Sequence, residues 1–296
     1  MNREQRNRAE RLHQLHVGPA PLVLPNVWDV ASARIVEQAG AKVIATTSAG
    51  MAWALGYADG EQMPAQELLS ACRRICRAVN APVTVDIERG FGASAQDTAV
   101  LVNALIEMGV VGINIEDGTD PLTQALADAA VLRERIACIR EVARQQGLPL
   151  FINARIDTYC AAGVPAQTRL EETLRRALSY IDAGADGIFV PGLADPDEIR
   201  HLVSRLSVPL NIYAGYPGAP AVADLQMLGV RRVSLGCGAI QAVLAHLANI
   251  TTEALVEGRY DTMASHMLST GQINGLFAQA SAEEASDVRL AAAGRT

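Results

Sequence analysis

Ile106–Asn114 reads IEMGVVGIN, and the same phrase returns as Glu37–Ala45 (EQAGAKVIA), Ile181–Phe189 (IDAGADGIF) and Gln226–Ser234 (QMLGVRRVS). In each, a helical pattern closes on a glycine and an aliphatic run begins. Glycine suits the left-handed conformation that ends a helix, so Gly40, Gly109, Gly184 and Gly229 mark helix-to-strand junctions, and Gly147 marks a fifth. Working outward gives eight strand-like runs: Pro21–Pro25, Lys42–Thr47, Pro82–Ile87, Val110–Ile115, Pro149–Ala154, Asp186–Val190, Val208–Tyr213 and Arg231–Leu235. Most are continuously apolar, as parallel strands buried on both faces require. The segments between them, such as Ala65–Val79, Ala95–Met108, Val131–Gln145, Leu170–Ala183, Asp197–Leu206 and Ala219–Leu228, carry apolar residues three and four apart. Eight such units predict an α/β fold, a (β/α)8 TIM barrel. It forms a single domain over residues 1–280, with a polar N-terminal helix (Arg3 to Leu15) across the barrel bottom, helices after strand eight, and a tail over 281–296. The competing open, doubly wound sheet loses support because no Gly-x-Gly-x-x-Gly follows the first strand.

Composition narrows the class. The chain of 296 residues is 50% apolar and 19% charged, which excludes a disordered segment. The net charge of -7 and the lack of a basic cluster argue against a nucleic-acid partner. No charged-then-apolar leader and no uninterrupted apolar run of membrane-spanning length stand out, so the expectation is a cytoplasmic protein without a membrane partner. Five cysteines show neither zinc-site nor disulfide spacing. Of 25 Lys and Arg residues only Lys42 is lysine, and it begins strand two, at the wrong end of a barrel for catalysis; a Schiff-base mechanism is disfavoured. None of the five histidines falls at a strand end.

In such barrels the site sits at the carboxyl ends of the strands, so strand-end residues carry the chemistry. Asp86 and Glu88 end strand three and Glu116 ends strand four. Three carboxylates crowded at one mouth repel, and a hard divalent cation relieves them. Arg155, one strand further round, suits a substrate carboxylate or a developing oxyanion, and equally a salt bridge to Glu116 or Asp157. Thr47-Ser48-Ala49-Gly50 reads as a turn of small residues whose amides can cradle a carboxylate. Gly236-Cys237-Gly238 follows strand eight, with Cys237 a packing residue.

Four motifs in order, TTSAGMAWALGYADGE (46–61), VTVDIERGFG (83–92), GINIEDG (112–118) and FINARIDTY (151–159), resemble the isocitrate lyase / phosphoenolpyruvate mutase superfamily over roughly residues 20 to 275. The resemblance implies a (β/α)8 barrel, a homo-oligomer (dimer or tetramer) with its C-terminal helices swapped between subunits, Mg2+ (or Mn2+), and an enolate derived from a small carboxylate substrate. It implies Asp86, Glu88 and Glu116 as the metal side and Asp59 reaching towards the metal's water network. It also implies Thr47, Ser48, Ala49 and Arg155 as binders of the substrate carboxylate, with Asn211 contacting substrate.

The departures define the reaction. The Lys-Lys/Arg-Cys-Gly-His segment of the isocitrate lyases has no counterpart in Gly118–Asp128, and the Lys and Asn of the mutases fall at about Leu122 and Gln124. Arg89 stands where the family has a small residue, free to pair with Glu88 or bind substrate. The expectation is a Mg2+-dependent lyase or decarboxylase for a small 2-oxo or 2-hydroxy polycarboxylate, with Arg155, Asp59 and Tyr213 catalytic and Tyr213 protonating the enolate. The alternatives are a phosphonomutase or phosphonopyruvate hydrolase acting on a P–C bond, and a barrel that binds a carboxylate without catalysis.

Overall fold

The computed structural model describes residues 3–119 and 125–278. Among them eight parallel strands form one sheet: β1 (Leu22–Leu24), β2 (Ile44–Ala45), β3 (Val83–Asp86), β4 (Gly112–Glu116), β5 (Phe151–Arg155), β6 (Gly187–Phe189), β7 (Leu210–Tyr213) and β8 (Arg232–Ser234). Their order is β1-β8-β7-β6-β5-β4-β3-β2, and a parallel bridge between Val27 and Thr46 joins the two ends. The barrel expected from the glycine-punctuated phrases is the barrel found. Each of the five junction glycines has positive φ, from 63° at Gly147 to 113° at Gly184.

The helices are α1 (Arg3–Leu15), α2 (Val30–Gln38), α3 (Ser48–Ala54), α4 (Ala65–Ala78), α5 (Ala95–Glu107), α6 (Ala129–Gln145), α7 (Ala166–Asp182), α8 (Pro196–Arg205), α9 (Val222–Met227), α10 (Gly238–Thr252) and α11 (Asp261–Ala264). Local chemistry sets their starts. Asp29 with Ser32, and Ser94 with Asp97, form reciprocal caps on α2 and α5. Asp128 caps α6 two residues ahead of the expected Val131, and Pro165 starts α7 ahead of Leu170. α9 is shorter than the run Ala219–Leu228 because its first three residues, Ala219-Pro220-Ala221, stay outside the helix. Helix α1 does lie under the barrel: Gln5 Nε2 donates to the carbonyls of Ile106 and Val110, and the ring of His16 stacks on Phe151 at 4.0 Å.

The helical stretch Gly238–Glu257 is long and apolar enough by composition to cross a membrane, although scattered polar residues hide it from a search for unbroken apolar runs. It leaves Val243, Leu244 and Leu247 exposed.

The strands alternate. Ile113, Ile152, Ile188, Ile212 and Val233 pack into the buried aliphatic core, whereas Asn114, Asn153, Asn211 and Arg232 form a buried polar network. The Asn153 amide donates to Oδ1 of Asn114 (2.9 Å) and of Asn211 (3.1 Å), Asn211 donates to Ser234 Oγ (3.1 Å), and Arg232 Nη2 donates to Asn114 Oδ1 (3.0 Å). Behind the mouth, Asp117 is fully buried and receives Arg176 Nη1 (2.9 Å), the Tyr180 hydroxyl (3.1 Å) and the Asp157 amide (3.0 Å). It ties the ends of β4 and β5 to α7. Replacing Arg176 by Met strands that carboxylate without its cation. The expected loss of stability is about 3 kcal/mol, read by urea unfolding at neutral pH.

Candidate active site

A cavity of about 580 Å3 opens at the carboxyl ends of the strands. Asp59, Asp86, Arg155, Tyr213, Thr47, Ser48 and Ala49 all line it. The register explains part of the convergence. Asp86 pairs with Asn114, Asn114 with Asn153, and Glu116 with Arg155, so side chains two apart along each strand point to one side and rise towards one mouth.

Arg155 is held from two sides. Its Nη1 lies 2.6 Å from Glu116 Oε2 and its Nε 2.7 Å from Asp157 Oδ1. Burial opposes its charge, but Glu116, Asp157 and Asp86 outweigh burial and hold the guanidinium protonated far beyond its ordinary range. The salt bridges weighed from the sequence therefore form, to both partners. The carboxyls show the opposite strain. Burial pushes Asp86 up, against the pull of Arg155, the Glu88 amide and the Asn114 side chain. Burial and then the charges of Asp86 and Asp59 raise Glu88 to about 8. Glu116 is raised as well, by burial first and by its acidic neighbours.

Of the three carboxylates expected on the metal side, Asp86 lines the cavity, whereas Glu88 and Glu116 do not. Glu88 has a positive φ of 48°, which turns its side chain back into the protein. Its amide donates to Asp86 Oδ1 (3.0 Å), and its Oε2 accepts from the Glu61 amide (2.6 Å). Glu61 in turn accepts from the Phe91 amide (2.7 Å), so the loop carrying Asp59 is sewn to the loop after β3. Arg89 pairs with Glu61 at 3.4 Å rather than with Glu88. Among the described residues no three His, Cys, Asp or Glu side chains form a ready-made cation cage. The donor set fits a hard cation that takes one carboxylate directly and fills its other positions with water, as Mg2+ does.

The segment Thr47–Gly50, read from sequence as a turn, is the start of α3, with Thr47 at its N-cap. First-turn amides of a helix have no carbonyl within the helix to bond, so Ser48 and Ala49 bring donors to the cavity wall. Asn211 is fully buried below the floor, its amide spent on Ser234 Oγ and the Ile212 carbonyl. It does not line the cavity. Tyr213 donates its hydroxyl to the Gly215 carbonyl (3.0 Å), and burial with the neighbouring Cys237 raises it to about 12. Gly215 and Gly238 let the loops after β7 and β8 touch: a Cβ on Gly238 would lie 2.4 Å from the Gly215 carbonyl oxygen.

Some lining residues escaped the sequence reading. Asn114, Cys160, Phe189 and Tyr216 also face the cavity. Asn114 had a signal, since it lies two residues before Glu116 on the same face of β4. Arg232 had none. It is buried beneath the floor, where burial lowers it to about 9, partly countered by Asp86. Leu122 and Gln124, where the mutase residues would align, lie outside the described residues.

Comparison with known proteins agrees with this geometry. Residues 12–255 match the phosphoenolpyruvate phosphomutase family. An uncharacterized protein of Mycobacterium tuberculosis is 35% identical over 81% of this chain and 88% of its own length. An oxaloacetate decarboxylase of a Bradyrhizobium species is 30% identical over 77% of each chain. The crystal structure of a Burkholderia cenocepacia protein provisionally named a phosphonomutase superposes with a TM-score of 0.79, at 38% identity, covering 84% of this chain and 99% of that one. The chain belongs to the phosphoenolpyruvate phosphomutase family, within the isocitrate lyase / phosphoenolpyruvate mutase superfamily.

Proposed function

We infer that this protein is a divalent-cation-dependent C–C lyase, acting through an enolate on a small 2-oxo or 2-hydroxy acid, with decarboxylation of an oxaloacetate-like polycarboxylate as its simplest form. The observation that carries the reading is the meeting of Asp86, Arg155 and the first turn of α3 in one cavity. The named decarboxylase relative supports it. Asp86 is the direct ligand for Mg2+ (or Mn2+), with Glu88 and Glu116 acting behind it and Glu116 through water. When bound, the cation polarises the 2-oxo group as a Lewis acid. The amides of Ser48 and Ala49, with Thr47, hold the substrate carboxylate, and Asp59 closes the site from the rim. Arg155 balances the charge that grows on the enolate oxygen. Tyr213, raised to about 12, keeps its proton at neutral pH and is the group placed to deliver it to the enolate carbon.

The test is Mg2+-dependent release of pyruvate from oxaloacetate. Asp86→Ala is expected to lower the rate by about 10³-fold. Equal rates in the two proteins overturn the reading. The similarity to the Burkholderia protein favours a second reading, rearrangement or hydrolysis of a P–C bond. Consumption of phosphonopyruvate in phosphorus NMR, without oxaloacetate turnover, selects it.

The carboxyl cluster sets a pH dependence. Glu88 is raised from 4.5 to about 8, so the stability it lends is complete below 4.5 and lost as pH rises through about 8. A cation beside it works in the other sense, because it favours the deprotonated form. The melting temperature of the metal-free protein is expected to fall from about pH 5 to about pH 8, while the rise in Tm caused by Mg2+ grows over the same interval. Glu88→Gln flattens both trends, and scanning calorimetry with and without Mg2+ reads them.

The exposed apolar residues of Gly238–Glu257 are assigned to a second copy of the chain rather than to a membrane, giving the homo-oligomer expected from the sequence. Val243, Leu244, Leu247, Leu255 and Val256 are between 47% and 80% exposed in the single chain, which is more apolar surface on one helical stretch than a lone subunit normally shows to water. Light scattering coupled to size-exclusion chromatography is expected to give a dimer or larger. The double change Leu244→Glu, Leu247→Glu shifts it to the monomer.

A further inference from the structure

The cavity is divided by charge. Its head holds Asp86, Arg155, Thr47 and Ser48, while the neighbouring arc, from the ends of β6, β7 and β8 and the loops after them, carries Phe189, Pro191, Ala194, Tyr213, Tyr216 and Cys237 beside Ser234. Among the described residues Arg155 is the only Lys or Arg that lines it, and Glu116 and Asp157 already hold its guanidinium. The Tyr213 and Tyr216 rings stand 5.5 Å apart, and Phe189 lies under Arg155 with its ring centre 5.9 Å from the guanidinium carbon. Aromatic faces therefore begin where the charged head ends.

A carboxylate on the far end of a substrate would leave water for a wall without a cation and with Asp59 on the rim. That is unfavourable unless the group is paired. An alkyl or aryl group at the same place gains from burial. The cavity of about 580 Å3 also exceeds what a four-carbon acid fills.

From this division the geometry points to a specificity: the site takes a 2-oxo or 2-hydroxy acid that carries, besides the group split off at its third carbon, an uncharged, apolar substituent there or beyond, seated against Phe189, Tyr213 and Tyr216. The inference rests on the proposed function, because it takes the head of the cavity to be the carboxylate and cation end.

Calorimetric titration in the presence of Mg2+ separates the two. Oxalate, which has only a head, tests the head. Pyruvate, 2-oxobutanoate and 2-oxohexanoate test the wall, and 2-oxohexanedioate sets a charged tail against an uncharged one of equal length. Oxalate is expected to bind, affinity to rise about threefold per added methylene, and 2-oxohexanoate to bind about tenfold more tightly than the diacid. Tyr216→Ala is expected to shrink the increment per methylene and leave oxalate unchanged. Ala194→Arg, which adds a cation at an exposed position on the wall, is expected to reverse the ranking in favour of the diacid. If oxalate binds but the series is flat, or the diacid binds better to the unaltered protein, the specificity is overturned and the head stands. If oxalate does not bind, the head reading falls and the specificity with it.

Discussion

A single guanidinium faces a crowd of carboxylates. Arg155 holds Glu116 and Asp157 and also acts on Asp86, and behind these stand Glu88 and Asp59. At an effective dielectric of about 20, one pair of charges about 4 Å apart is worth about 4 kcal/mol, so one cation cannot neutralise the set. The surplus appears as carboxyls that keep their protons: Asp86, Glu88 and Glu116 are all raised, with burial as the leading cause. Such a cluster is a poor way to stabilise a fold and a good way to hold a hard cation. Glu88 adds to this cost by taking a left-handed backbone that a non-glycine residue adopts at about 1–2 kcal/mol.

The rest of the barrel holds that cluster still. A barrel interior is normally packed with layers of Val, Ile and Leu. Here Asn114, Asn153, Asn211, Ser234 and Arg232 are joined by hydrogen bonds of 2.9 to 3.1 Å. Asn114 is the shared member: it accepts from Arg232 and Asn153 and bonds to Asp86 above. Arg232 places a second positive charge beneath the floor, distant enough not to line the cavity and close enough to be felt by Asp86. Asp117 does the same on the flank, fixing Asp157 from behind and through it Arg155. Asp86 and Arg155 are thus each oriented by buried partners at or near the strand ends, which is how a site keeps its geometry when loops move.

The sequence made the barrel legible because its signals are local. The junction glycines and aliphatic runs each occupy a few residues, and every one of the eight runs overlaps an observed strand, two of them stopping one residue short, at Glu116 and Arg155. The strand-end rule found Asp86, Arg155 and Tyr213 for the same reason. Where reading failed, the missing information was non-local or three-dimensional. Glu88 sits at the right place in the chain, but its positive φ turns the side chain back, and no pattern in VTVDIERGFG announces that angle. Asn211 occupies a strand-seven position as expected, and its depth below the cavity floor has no local signature. Thr47–Gly50 looked like a turn because small residues serve turns and helix starts alike. Arg232 stands beside Arg231 at the start of a five-residue run, and nothing local tells which of the two faces inward; the polar residues scattered along Gly238–Glu257 likewise leave its composition unremarkable.

Cleavage of a carbon–carbon bond next to a 2-oxo group moves negative charge in one direction, from the departing fragment into the enolate. The departing fragment leaves as a neutral molecule, carbon dioxide or a carbonyl compound. A site suited to this reaction has its stabilising groups at the oxo end and nothing at the other end that prefers the charged form. The division between Arg155 with Asp86 on one side and Phe189 with Tyr216 on the other has that polarity. A cation on the far wall would work against it, by holding a carboxylate in the state from which carbon dioxide has not yet left. On the proposed reading the neutral wall selects an uncharged substituent in binding and offers no cation that would hold back a departing carboxylate. One arrangement of charge in the cavity thus decides both what fits and which way the electrons move.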